Sequence, residues 1–295
     1  MRLEKKATII SSATATLLIS IKLFIGIISG SVAVLASAID SVLDLAVSIF
    51  NYFAVHNSEK APDAKFNYGR GKIEALAAVI EGLIISISGL YILYVAIDKL
   101  MQEHQASYLQ ESILVMLISL VITTALVIYL TYVAKKTGSM VIRSDALHYK
   151  TDLFSNAAIL ISLVLIHFTH IYMIDSILGI LISLYIIYSA YSLIKDGVLM
   201  LMDVAMPDEI VEQIQQIIKE DKNITSFHQL LTRASGSDAF MSVHLVFNIS
   251  TSLFEAHRVC DTIENKIKKI DENLNWNMLI HPDPFDDSSL NEMDD

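Results

Sequence analysis

The chain of 295 residues has one cysteine, Cys260. A disulfide framework and a cysteine-based zinc ribbon are thereby excluded, and a lone thiol suits a segment bathed in reducing cytosol. Charge is also scarce. Only 18% of residues are Asp, Glu, Lys or Arg against 54% hydrophobic, which excludes a disordered chain. Basic residues are the minority, 21 against 32 acidic, so the formal net charge is −11 and no basic patch for nucleic acid is expected. The deficit is uneven: residues 1–206 carry 14 basic and 15 acidic residues (−1), and residues 207–295 carry 7 and 17 (−10). The first two thirds are written for lipid and the last third for water, which excludes a single soluble globule.

Long apolar runs fill the first part. A bilayer core of about 30 Å takes about 20 mainly apolar residues as helix, and six stretches reach that length, at 7–28, 31–56, 74–99, 112–134, 144–168 and 174–201. The first is expected to stay in the protein, because it is longer than the apolar run of a signal peptide and lacks a small-residue cleavage site. Arg2, Lys5 and Lys6 precede span one, Lys60, Lys65, Arg70 and Lys72 fill the 2–3 connection, and Lys135, Lys136 and Arg143 fill the 4–5 connection. The opposite connections are almost bare of basic residues. Both termini and the acidic tail are therefore expected on the cytoplasmic face of a cytoplasmic (inner) membrane.

From Pro207 the periodicity changes. Residues 208–219 have helical spacing, 226–232 and 240–247 alternate as strands, 252–270 reads as a second helix and 275–280 as a last strand. The expected fold is a membrane all-α domain of six transmembrane helices (1–206), then a cytoplasmic α+β domain of order αββαβ, metallochaperone-like (207–285), then an acidic tail (286–295) expected to be disordered. A soluble domain of about 80 residues has a small core, so metals or dimerisation are expected to help hold it.

Two spans carry residues that lipid disfavours. In span two, Asp40 and Asp44 stand at i and i+4, one helix face and about 5–6 Å apart. Each ionised carboxylate costs at least ~2.5 kcal/mol at that depth, and like charges so close raise each other's proton affinity. A divalent cation removes the conflict; a protonated pair that only holds helices together is the alternative. In span five, His148 and Asp152 are again i, i+4. Three carboxylates and one imidazole make a four-ligand set suited to tetrahedral Zn²⁺, and His148 can trade a proton for a metal near neutral pH. The same set accepts Fe²⁺, Mn²⁺, Co²⁺ or Cd²⁺, although an imidazole argues against an all-oxygen Mn²⁺ site. The tail holds His228, His244, His257 and His281 with Asp283. Spacing alone leaves these open between scattered surface residues and a second metal site.

Taken together these residues resemble the cation diffusion facilitator family, in its YiiP-type zinc and ferrous-iron efflux branch. The resemblance runs through Ala38-Ile39-Asp40-Ser41-Val42-Leu43-Asp44, Tyr68-Gly69-Arg70-Gly71-Lys72-Ile73-Glu74, Ala146-Leu147-His148-Tyr149-Lys150-Thr151-Asp152 and Leu201-Met202-Asp203-Val204-Ala205-Met206-Pro207-Asp208. It implies a homodimeric antiporter that exchanges a divalent metal for protons across the lipid bilayer, with the transport site on Asp40, Asp44, His148 and Asp152. It also implies a binuclear tail site on His228, His244, His257, His281 and Asp283, and an inter-subunit charge interlock of Lys72 with Asp203. One motif departs. The branch carries an Asp and two His in the 2–3 connection, where this chain has Asp63, Phe66 and Arg70. Arg70 cannot ligate a cation, so this loop is expected not to bind metal.

Two rival functions fit parts of the pattern. A membrane-anchored sensor would bind cytosolic metal in the tail and move none. An intramembrane aspartyl hydrolase on Asp40 and Asp44 is disfavoured, because a catalytic dyad needs carboxylates converging from separate elements. The expectation is a transporter and not an enzyme.

Overall fold

The structure, a computed structural model, describes residues 2–29, 32–102, 110–169 and 173–287. Six long helices come first: α1 (Leu3–Ser29), α2 (Val32–Ser58), α3 (Lys72–Gln102), α4 (Gln110–Thr137), α5 (Met140–Thr169) and α6 (Met173–Leu201). A mixed region follows: α7 (Asp208–Lys219), β1 (Ile224–Ser235), β2 (Asp238–Phe247), α8 (Leu253–Ile267) and β3 (Asn275–Asp283). The chain divides into two compact units, Met1–Val198 and Leu199–Asp295.

In the first unit α1 lies along α2, α4 along α5, and α3 packs on α5. The core between them is built from small and branched side chains, among them Ala7, Ala54, Ala77, Leu130, Ile142 and Ala146, with Tyr149 the largest. Small residues let the backbones approach, as lipid-embedded helices require. Gly82 and Gly197 show how closely α3 and α6 meet: a Cβ at Gly82 would stand 2.7 Å from Ile194 Cγ1, and one at Gly197 would stand 2.6 Å from Val79 Cγ2. Large apolar side chains point outward, including Ile27 (72% exposed), Val121 (70%) and Ile87 (68%). Apolar surface on that scale is a liability in water and the normal condition in lipid. Among the described residues, α1, α3, α4 and α6 are long and apolar enough to cross a membrane. The other two long helices, α2 and α5, carry the aspartates and the histidine singled out above.

The second unit is a three-stranded sheet of order β1-β2-β3, antiparallel between β1 and β2 and parallel between β2 and β3. Gly236, at φ 60°, turns the β1–β2 hairpin, a backbone conformation that glycine adopts without strain. Alternate residues of β2, namely Met241, Val243, Leu245 and Phe247, enter the core with Ile214 and Ile218 of α7 and Val259, Ile263 and Ile267 of α8. Both helices thus cover one face of the sheet, and the intervening residues of β2, Ser242 and His244, stand on the other. The first helix runs over the residues its spacing predicts, with Asp208 and Glu209 in the first turn where the helix dipole favours acids. The second helix is shorter than expected. Ser252 lies outside it as a capping residue: its hydroxyl accepts from Glu255 N–H while the Glu255 carboxylate accepts from Ser252 N–H.

The strands are longer than expected, and β3 continues through Pro282 to Asp283. An edge strand tolerates proline because its outer side needs no ladder partner. His281 and Asp283 therefore lie inside β3 and not just after it. The segment before α7 is tied to β1: Met206 N–H donates to Thr232 Oγ1 at 3.1 Å, and Arg233 pairs with Asp203 at 3.0 Å. Of the expected disordered tail, Asp286 and Asp287 are described, with Ser226 Oγ donating to Asp286 at 2.7 Å; residues 288–295 lie outside the described residues.

Candidate metal centres

The first cluster forms where α2 faces α5. Asp44 Oδ1 is 3.2 Å from His148 Nε2, and Asp152 Oδ2 is 4.0 Å from the same nitrogen. One donor atom from each of the three lies within 4.8 Å of the others, a spacing that a single cation would bridge. The one-turn separation of His148 and Asp152 along α5 brings both to Asp44, as helical geometry requires. Asp40 belongs to α2 one turn before Asp44, and its side chain lies outside the described residues.

Behind these ligands runs a buried polar layer. On α2, Asp44, Ser48 and Asn51 follow at i, i+4 and i+7, one stripe of the helix. Ser48 Oγ is 2.9 Å from Tyr149 Oη and 3.0 Å from Ser11 Oγ. Asn51 Nδ2 donates to Glu81 at 3.0 Å and to Asp145 at 3.3 Å, and Ser144 Oγ pairs with Glu81. Sequence reasoning missed this layer. Its signal was the i+7 continuation of the α2 stripe, and Glu81 two turns inside an apolar span.

The second cluster is a row across the sheet. His228 of β1, His244 of β2 and His281 of β3 are register partners, so one side chain from each strand stands in line. Adjacent ring centres are 4.9 and 4.7 Å apart. Asp283, two residues beyond His281, returns to the same face and joins them: Oδ2 is 2.8 Å from His244 Nδ1 and 3.7 Å from His228 Nε2, while Oδ1 is 3.1 Å from His281 Nε2. The carboxylate thus has one oxygen toward each side of the row.

Asp287, unforeseen in the sequence, brings Oδ1 to 3.0 Å from His228 Nε2. His228, His244, Asp283 and Asp287 each place a donor atom within 4.8 Å of the rest. The ring nitrogens of His228 are buried and make no hydrogen bond, a condition a bound metal satisfies. Two imidazoles and two carboxylates fit a borderline cation such as Zn²⁺.

His257 is not brought to this cluster within the chain. It sits on α8 with its side chain 75% exposed, 3.8 Å from Asp261 one turn on. The helix covers the opposite sheet face, so its side chains cannot reach the histidine row. Nearby Cys260 is buried, and burial pushes its thiol up, away from the thiolate a metal would need.

In the α2–α3 connection, Asp63 is fully engaged. Its Oδ1 accepts from Phe66 N–H and Lys65 N–H, both at 2.9 Å, and its Oδ2 pairs with Arg70. These contacts, the Phe66 N–H foremost, hold the carboxyl below its ordinary range. The Arg70 guanidinium lies 4.3 Å from the Phe66 ring centre. The three residues expected to have lost a metal site thus bind one another.

Comparison with known proteins places both units. Residues 8–202 match the family model for the cation efflux transmembrane domain, and residues 206–285 match that for the cation efflux protein cytoplasmic domain. The chain belongs to the cation diffusion facilitator family. It is 35% identical over 283 residues to the cation-efflux pump FieF of Klebsiella pneumoniae, an alignment that covers 96% of this chain and 93% of the relative. It is 32% identical over 284 residues to protein p34 of Rickettsia rickettsii, at the same coverages. A solved chain of CzrB, described as a candidate zinc transporter, is 31% identical, covering 26% of this chain and 98% of that chain with a TM-score of 0.24.

As a cation diffusion facilitator, the protein is a membrane protein for metal-cation efflux, and the six helices take the role of its transmembrane part. Lys72 opens α3 in the first unit, and Asp203, at φ 59°, carries the Arg233 pair in the second.

Proposed function

We propose that the protein exports a divalent transition metal, Zn²⁺ foremost, from the cytoplasm in exchange for protons, as a homodimer in the cytoplasmic membrane with both termini inside. The observation that carries this is the meeting of Asp44, His148 and Asp152 between two helices of a membrane unit. With Asp40 they are the transport ligands. A mixed nitrogen and oxygen set of this size suits Zn²⁺ or Fe²⁺ better than an ion that demands six oxygens. Metal takes the neutral imidazole and the ionised carboxylates, so each loading event releases whatever protons those groups held, and each reprotonation from outside expels the ion. Exchange then follows from competition for shared atoms.

The tail cluster on His228, His244, His281, Asp283 and Asp287 is read as a structural and regulatory metal site. His257 is assigned to the subunit interface, where it completes a partner's cluster. Two acidic tails repel each other, and bound dications at that interface offset the repulsion. The Lys72–Asp203 interlock belongs to the same interface. The loop formed by Asp63, Phe66 and Arg70 takes no metal, since a guanidinium holds the carboxylate.

Purified protein in liposomes with a pH-sensitive dye inside tests the function. A zinc gradient is expected to drive proton movement in the opposite direction. Zinc binding with no flux of either ion would overturn it and leave a metal sensor.

A further inference from the structure

Three buried side chains stand near the proposed transport ligands and are not among the groups whose donor atoms converge there. Glu81 of α3 is 1% exposed, and Asp145 of α5 and Asn51 of α2 are fully buried. A single amide nitrogen serves both acids, since Asn51 Nδ2 donates to Glu81 Oε2 and to Asp145 Oδ1. The other oxygen of each carboxyl, Glu81 Oε1 and Asp145 Oδ2, is buried and makes no hydrogen bond, and neither does Asn51 Oδ1. Ser11 also hydrogen-bonds Asp145 and Ser144 reaches Glu81 Oε2, yet these three buried oxygens are left without a donor. An ionised carboxylate in such surroundings is costly, and two bridged by one amide repel each other as well.

Ser144 adds a second argument. Its hydroxyl is within hydrogen-bond reach of Glu81 Oε2 and also 2.9 Å from the Val141 carbonyl, which can only accept. A hydroxyl has one proton. With Glu81 ionised, only one of these bonds exists at a time. With a proton on Glu81, Ser144 donates to Val141 while Glu81 donates to Ser144, and both bonds form.

The groups facing the pair come from three elements, and α3 adds only Glu81, a member of the pair. They are Asn51 and Asp44 of α2, Ser11 of α1, and His148, Tyr149 and Ser144 of α5. His148 is the one group among these that can carry positive charge, and it becomes a neutral donor when metal binds. A dication at Asp44, His148 and Asp152 then sits about one helix turn along α5 from Asp145.

We propose that Glu81, sharing its environment with Asp145, holds a proton while the transport site is empty and gives it up when a dication binds. The O–H bond of Glu81 breaks, the electron pair stays on the carboxylate, and the proton leaves to water on the side to which the site is open. The pair thus supplies an exchanged proton in addition to those displaced from the metal ligands themselves. This inference rests on the proposed metal/proton exchange.

The test uses full-length protein. In infrared spectra of metal-free protein, Glu81→Gln is expected to remove a protonated-carboxyl band, and zinc is expected to remove the same band from the wild type. Calorimetry of zinc binding in buffers of different ionisation enthalpy is expected to show about one proton fewer released per ion in Glu81→Gln. A band or a proton count equal to wild type overturns the proposal. Asp145→Asn provides a second route if Glu81→Gln does not fold: with the like charge gone, the band is expected to titrate at lower pH than in wild type, and an unmoved midpoint overturns the proposal. Liposomes separate the two readings. Wild type that moves zinc without protons overturns the exchange function, whereas proton-coupled wild type with a Glu81→Gln proton count unchanged overturns this inference alone.

Discussion

The two candidate metal clusters use the same donor types and are built in opposite ways. In the membrane unit His148 and Asp152 stand one helical turn apart on α5 and meet Asp44 of α2, and a second polar layer of Asn51, Glu81 and Asp145 backs them. In the second unit the candidate ligands come from three strands, lined up by register, and Asp283 joins them. The first cluster is part-exposed within the chain but belongs to the membrane unit, where hydrocarbon cannot solvate charge, so every charge there needs a partner or a proton. The second is built on the sheet face opposite the helices, with His228 and Asp283 buried and His244 and Asp287 part-exposed, so water reaches the cluster through its part-exposed members and can replace a missing ligand there. Loss of a ligand is therefore expected to be far more damaging in the first than in the second.

The largest effect is expected at Asp152. Asp152→Ala should lower zinc-driven proton flux in liposomes by more than about 100-fold, beyond the 10–100-fold that supporting residues typically cost. Retained flux would break the comparison at its root by removing the helix pair from transport. Next comes His244, the middle of the histidine row. His244→Ala should weaken tail metal binding by at least about 10-fold while transport persists at reduced rate, read by calorimetry and flux on the same preparation. An equal loss of flux from His244→Ala and Asp152→Ala would show that the two clusters act as one.

Asp287→Asn isolates the ligand that the sequence did not announce. It is expected to lower tail affinity about 10-fold and leave the transport site untouched; unchanged tail affinity would return Asp287 to an ordinary surface acid. The smallest effect belongs to the helix cap of the soluble unit. Ser252→Ala should cost about 1 kcal/mol of local stability, read as faster amide exchange in the first turn of α8. Its pH dependence has a definite sign. Hydrogen bonds from Ser252 hold Glu255 below its ordinary range, so the cap is intact at neutral pH and weakens as pH falls into the acid range. Faster exchange on raising the pH from acid to neutral, beyond the intrinsic rate change, would contradict it.

Much of the fold is legible in the residues. Apolar runs long enough for a bilayer mark the six helices, and amphipathic spacing marks α7 over the bounds it adopts, Asp208–Lys219. Helical pairs such as His148 and Asp152 are equally legible, because i, i+4 neighbours meet whatever else the chain does. Asn51, Glu81 and Asp145 were not. They belong to three helices, and only the way α2, α3 and α5 pack decides that one amide meets two acids. Strand register is no more local: the alignment of His228, His244 and His281 depends on two strand pairings and on an irregularity after His228, where Gln229 takes φ 50°.

The sequence by itself determined the medium of each part, the number and order of the elements, and the ligand pairs that a single helix sets one turn apart. These are short-range consequences of hydrophobicity and helical period. Tertiary structure alone decided which pairs face each other, that Asp287 joins the tail cluster and His257 points away from it within the chain, and that a buried acid pair stands behind the proposed transport ligands. Those depend on packing and register between segments far apart in the chain, where spacing along the sequence carries no information about distance in space.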